Sequence, residues 1–122
     1  MADKDALRMS SAGMRLIALL TIYNADDSTR LRAFIAGSLH ADLLAHADAD
    51  TRVAGLSALR TEIGKLRVRQ VVGAAKEQVI VILASERADD ALIELRVDAD
   101  YPHPITELGI NRLGQPTDSP AT

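Results

Sequence analysis

The sequence predicts an α+β domain in which three N-terminal helices pack on one face of a curved, four-stranded antiparallel meander. Residues 10–64 carry apolar side chains at helical spacing, whereas residues 66–113 carry the alternating or β-branched runs typical of strands. The connections between the strand segments are too short for parallel crossovers, so neighbouring strands must be antiparallel. Helices and strands that segregate along a chain favour one layer of helices on one sheet.

Each predicted helix begins at a residue that can cap it. The candidate N-caps are Ser10 or Ser11, Asp27 or Ser28, and Asp48 or Asp50. Gly13 is expected to weaken the first turn of the first helix. Residues 43–44 are expected to lie in a short turn between the second and third helices. Gly64 stands where a left-handed C-cap would end the third helix.

Alternation along the strands predicts which face meets the helices. In the first strand Val68 and Val72 share one parity, and Arg67, Arg69 and Val71 share the other. The third strand alternates more cleanly. The apolar positions expected under the helices are Val68, Val72, Ile93, Leu95 and Val97.

The second strand, residues 79–83, is apolar on both parities, so a single helix layer leaves Ile80 and Ile82 on an outer face. An exposed apolar sheet patch usually marks an interface. We therefore expect a homodimer, or docking onto another protein, through this face. The expected interface residues are Val71, Ile80, Ile82 and Leu92, with Arg67, Arg69 and Arg96 at the polar rim. Alternatively, the C-terminal segment or the first helix folds over the patch.

Composition narrows the other possibilities. The chain has 122 residues, which suits a single domain over residues 1–113, followed by a disordered tail at 114–122. A net charge of −3 gives no support for nucleic-acid binding, and the lack of cysteine excludes a zinc-thiolate site. The apolar run at 16–23 is too short to span a membrane and lacks the layout of a signal peptide. We expect a cytoplasmic protein with no membrane association.

Polar residues suggest one ligand pocket, formed by Tyr23, Tyr101 and His103, and no metal or cofactor site. His103 lies in a proline-held loop, where it is either a proton carrier or part of a rigid turn. His40 and His46 are six residues apart, whereas a helical metal pair needs a spacing of four. Serine, histidine and acidic residues form no recognisable catalytic arrangement, so we expect no hydrolase activity.

Several local phrases support a resemblance that covers roughly residues 15–113. They are Asn24-Ala25-Asp26-Asp27 with residues 31–35, residues 59–66, and residues 92–97 with 102–105 and 108–110. With the element order, they resemble the cystatin-like cone of the nuclear-transport-factor-2-like superfamily. More narrowly, the chain resembles the small accessory domain ahead of the catalytic domain in bacterial serine hydrolases of the beta-lactamase-like or tail-specific-protease-like kinds.

The resemblance implies a non-catalytic binding or assembly module, because this chain lacks any hydrolase domain and no nucleophile can be carried over. The alternative is a small enzyme or ligand-binding protein of the ketosteroid-isomerase or polyketide-cyclase type. Such a protein would bind a small apolar ligand in a pocket between sheet and helices. A buried acid facing a cavity of a few hundred Å³ would favour the enzyme, and a filled interior would favour the binding module.

Overall fold

The computed structural model describes residues 2–113, with side chains from residue 5 onward. Within that range five α-helices precede four β-strands. The helices are α1 Ala2–Arg8, α2 Ser11–Ala25, α3 Ser28–Ser38, α4 Ala41–His46 and α5 Ala49–Ile63. The strands are β1 Leu66–Ala74, β2 Gln78–Ser85, β3 Ala91–Val97 and β4 Ile105–Arg112. The α+β class is confirmed. The prediction of three helices is wrong, and the tail predicted at 114–122 lies outside the described residues.

The three predicted helix starts are confirmed by their caps. Ser10 Oγ accepts from Gly13 N at 2.9 Å, Asp27 Oδ1 from Arg30 N at 3.1 Å, and Asp48 Oδ1 from Thr51 N at 2.9 Å. These bonds satisfy backbone donors that the first helical turn leaves unpaired. Gly64 ends α5 with the expected positive φ of 82°, although its ψ of −156° lies outside the left-handed helical region.

The two unpredicted helices have weak sequence signals. Residues 2–8 carry one large aliphatic side chain, Leu7, which is buried to 1% exposure. α4 spans six residues, too few to show a helical period, and its Leu43 and Leu44 pack partly buried against the core. The expectation that residues 43–44 form a turn is therefore wrong. Gly13 lets α1 pack closely against α2, because a Cβ at this position would collide with the Leu7 backbone. Its role is a close approach of two helices, and no weakening of α2 needs to be invoked.

The strands form one antiparallel sheet in the order β1-β2-β3-β4, as predicted. Its inner face meets the helices, and α2 crosses it in contact with β1, β2 and β3. The central inner-face side chains are at most 3% exposed. They are Val79, Val81, Leu83, Ile93, Leu95, Val97 and Ile105. This core is filled with aliphatic side chains from both layers.

Two irregularities in β1 reverse the predicted parity of Val71 and Val72. The register shifts between Val68 and Gln70 and again between Val71 and Gly73. Each shift places one extra residue on β1, so the inward–outward alternation changes there. Val71 lies opposite buried Val81 and packs against the core, whereas Val72 is 55% exposed. The prediction that Val71 faces outward and Val72 inward is therefore wrong.

Replacing Gly13 by alanine tests the docking of α1. We predict that Gly13→Ala lowers the free energy of unfolding by about 1–3 kcal/mol, because the new methyl group meets rigid backbone. Gly37→Ala is the matched control: Gly37 is also helical, but a Cβ there meets nothing within 4 Å. The control should gain about 0.5–1 kcal/mol in urea denaturation. Equal stabilisation by both changes would contradict the close approach.

Candidate functional site: the outer face of the sheet

The outer face of the sheet, on the side away from the helices, carries an apolar patch of Val72, Ile80, Ile82 and Leu92. Ile82 lies opposite Leu92 across β2 and β3. Ile80, Ile82 and Leu92 are half-buried, and they belong neither to the core nor to the partly buried side chains that pack against it. They therefore lie outside the core that the described helices cover.

No described helix covers this patch. α2, the first helix predicted from the sequence, buries Leu16, Leu19 and Tyr23 in the core on the opposite side. The alternative in which that helix folds over the patch is therefore wrong. The other candidate cover, the C-terminal segment, lies outside the described residues.

Charged side chains of both signs surround the patch. Arg69 Nε pairs with Asp90 Oδ2 at 2.9 Å, and Arg96 Nε pairs with Glu107 Oε1 at 3.4 Å. Arg67 and Glu94 also lie on this face, and neither forms an ion pair with a residue of the described range. Two of the three arginines predicted at the rim are thus paired within the chain, whereas Arg67 pairs with none of the residues that the structure describes.

Two glycines leave space on the outer face beside its central side chains. Gly73 lies opposite Ile80, and Gly109 lies opposite Glu94. A Cβ added to either glycine would meet nothing within 4 Å. An isolated glycine inside a strand indicates a bulge or a close approach of another backbone. That signal was present in the sequence but gave no prediction of where the approaching group would come from.

The three residues predicted to form a ligand pocket do not lie together. Tyr23 is 3% exposed near the end of α2, and its hydroxyl donates to Gly64 O at 2.9 Å. Tyr101 is 88% exposed and makes an edge contact with the His103 ring, at 6.0 Å between centroids. Arg15, two turns before Tyr23 on α2, donates to His103 O. The pocket therefore divides into a buried tyrosine and a surface loop, about 12 Å apart along the helix.

The loop that carries His103 is held by its own backbone and by Arg15. His103 Nδ1 lies 3.0 Å from Asp98 O, and its backbone N donates to Asp100 O at 2.7 Å. Arg15 donates to Pro102 O and to Ser38 Oγ. An open groove of about 510 Å³ lies beside the loop, lined by Met9, Met14, Arg15 and His103 among others and by no carboxylate. These contacts favour the rigid-turn interpretation of His103.

The two other histidines have separate positions. His40 caps α4, its Nδ1 accepting from Asp42 N at 3.1 Å, and His46 is exposed in the last turn of that helix. Among the described residues no three His, Cys, Asp or Glu side chains are placed to hold a metal ion.

A second cleft, of about 320 Å³, opens between α5 and the inner face of β4. Five of its lining residues are aliphatic: Ile35, Leu56, Leu59, Leu108 and Ile110. Arg52 lies at its margin and donates to Ala47 O and Leu43 O, while Arg112 donates to Glu62 Oε2. The cleft has no acidic residue in its lining, so it can hold an apolar group but offers no general base.

Comparison with protein-family models, with curated proteins and with solved structures found no match to this chain. Across residues 2–113, every helix is too short or too polar to cross a membrane.

The buried hydroxyl of Tyr23, in the core on the helix side of the sheet, can be followed by its titration. Burial raises the pKa of Tyr23 to about 12 from 10.0, against the opposing charges of Arg60 and Arg87. We predict that Tyr23→Phe costs about 1–3 kcal/mol, because it leaves Gly64 O without its donor. The ultraviolet absorbance difference between wild type and variant should titrate near pH 12.

The linkage between this pKa and stability has a definite sign. The unfolded chain loses the Tyr23 proton first as the pH rises, since its pKa is the lower one. The contribution of the protonated Tyr23 hydroxyl to the free energy of unfolding is therefore complete below pH 10 and is lost between pH 10 and 12. Tyr101→Phe is the control, because Tyr101 is exposed. A Tyr23 titration near pH 10 would show that the hydroxyl is solvated.

Proposed function

We propose that the chain is a non-catalytic binding and assembly module that forms a homodimer through the outer face of its sheet. The observation that carries this proposal is the apolar patch of Val72, Ile80, Ile82 and Leu92, which lies outside the helix-covered core. The resemblance to the nuclear-transport-factor-2-like, cystatin-like accessory domains of serine hydrolases supports a module of this kind.

The composition of β2 gives the physical reason. An antiparallel sheet with one face in water normally alternates apolar and polar residues, whereas apolar residues on both parities suit a strand covered on both sides. Val79, Val81 and Leu83 meet the helices, and Ile80 and Ile82 are the β2 side chains that a partner would cover. Each Å² of apolar surface removed from water contributes about 25 cal/mol.

The area of the outer face sets the expected affinity of the homodimer. Four strands about 4.8 Å apart, each of about eight residues rising 3.3 Å, give a face of roughly 500 Å² per copy, so complete overlap would bury at most about 1,000 Å² in a pair. This is at the lower limit for a specific interface. We therefore expect reversible association that depends on protein concentration.

A second candidate function, binding of a small apolar ligand, is favoured by the cleft between α5 and β4. Enzymes of the ketosteroid-isomerase type need a carboxylate base in such a cleft, and the lining residues include none. Ligand binding without proton transfer is the version that this site supports.

An apolar fluorescent dye should bind saturably in the cleft between α5 and β4. Gly55→Leu should exclude the dye, since a Cβ at Gly55 has open space around it. Equal dye binding by the variant would remove this candidate.

The homodimer is tested by placing a charge within the patch. We predict that wild type associates as its concentration rises in light scattering and that Ile82→Asp is a folded monomer, because the carboxylate cannot be buried unpaired. Met9→Asp is the matched control: Met9 is 85% exposed and lies beside the loop of His103, away from the sheet face. A wild type that stays monomeric at millimolar concentration would end the proposal.

A further inference from the structure

Two opposite charges on the outer face constrain what can cover it. Arg67 is exposed, and Glu94 is half-buried beside the apolar patch. Neither forms an ion pair with another described residue. Arg69 and Arg96 are already paired with Asp90 and Glu107. Burying an unpaired charge is strongly unfavourable. An occupant that buries both charges must therefore bring an anion to Arg67 and a cation to Glu94.

The register of the sheet fixes where these two charges lie. Arg67 on β1 is opposite Ala84 of β2, and Glu94 on β3 is opposite Ile80 of β2. Ile82 is halfway between Ala84 and Ile80, and β2 is the strand between β1 and β3. The midpoint between Arg67 and Glu94 therefore falls at Ile82, about 8 Å from each at ordinary strand dimensions.

A two-fold axis can use this arrangement. An axis that lies in the interface over Ile82, perpendicular to the line from Arg67 to Glu94, brings each of these residues onto the other in a second copy. Such an axis exists for any two points. What distinguishes this pair is that the axis passes over Ile82, which belongs to the apolar patch and has Leu92 on one side and Gln70 on the other. Ile82 then packs on its own symmetry mate with an ion pair on either side.

We propose that the occupant of the outer face is a second copy of this chain, held in register by two reciprocal Arg67–Glu94 ion pairs around Ile82. This inference rests on the proposed function and adds the symmetry, the register and the pairing residues. A second copy supplies both required charges at the required separation, which an unrelated protein would have to match independently.

The surrounding geometry accommodates this packing. The line from Arg67 to Glu94 runs obliquely to the strands, so the strands of the two copies cross steeply, as in orthogonal sheet packing. Stacked sheets lie about 10 Å apart, a distance that an arginine and a glutamate side chain span together. Gly109, opposite Glu94, leaves open space beside that carboxylate for an incoming guanidinium group.

Reciprocal pairing makes a mixing experiment possible. In Arg67→Glu alone, each pair becomes two facing glutamates, and in Glu94→Arg alone it becomes two facing arginines. In a mixed dimer of one copy of each variant, both pairs are again between opposite charges. We expect each variant alone to associate at least about tenfold more weakly than wild type, and an equimolar mixture to recover association within about threefold.

Light scattering over a concentration series measures all four samples: wild type, each variant and the mixture. Circular dichroism checks their folds. Arg96→Glu mixed with Glu107→Arg is the control, because that pair is made within one chain and mixing cannot restore it. If wild type associates and Ile82→Asp does not, but the Arg67 and Glu94 variants give no recovery on mixing, the reciprocal pairing is wrong and the proposed function stands. If wild type does not associate, both fail.

Discussion

One layer of helices covers one face of this sheet, and the central strand β2 is apolar on both. Everything proposed about function depends on that mismatch. The inner face takes Val79, Val81 and Leu83 into a core with less than 1% exposure at each, while Ile80 and Ile82 lie on the side that no described helix reaches. When the outer face is uncovered, the aliphatic side chains of Ile80 and Ile82 contact water, which is unfavourable.

The helix layer is held on its side by a junction at the end of α2. Asn24 accepts from Leu66 N at 2.8 Å and donates to Leu66 O at 2.6 Å, so its amide pairs with the first residue of β1 as a neighbouring strand would. The Tyr23 hydroxyl donates to Gly64 O, just before the start of β1. Arg60 donates to the carbonyl oxygens of both Tyr23 and Asn24 and so caps the end of α2. These bonds fix the end of α2 against the start of the sheet and leave the outer face without a helix.

The sequence was informative wherever a local rule decided the structure. Ser10, Asp27 and Asp48 begin helices because a short polar side chain satisfies the backbone donors of the first turn, and all four strands follow the β-branched or alternating runs. α4 was missed because six residues are too few to show a period. The outward position of Val72 was missed because a bulge depends on the pairing of β1 with β2, which alternation within β1 does not encode.

The candidate site was predictable in its apolar part and not in its polar part. Ile80, Ile82 and Leu92 followed from parity alone, since β2 and β3 run without a register shift against each other. Which charged residues form ion pairs within the chain could not be predicted. Arg69 pairs with Asp90 across β2, and that contact depends on how the strands are paired. The pocket predicted from Tyr23, Tyr101 and His103 rested on residue type alone. Tyr23 lies near the end of α2, whereas the loop of Tyr101 and His103 contacts Arg15 near its start.

The most direct measurement of the central claim is the set of intermolecular nuclear Overhauser effects in a dimer mixed from isotope-labelled and unlabelled chains. With the outer face as the interface, methyl groups of Ile80, Ile82 and Leu92 should show contacts between chains, with Ile82 close to its own symmetry mate. Intermolecular contacts confined to the exposed Met9 and Met14, with none from Ile82 in a fully associated sample, would place the interface elsewhere and contradict the account.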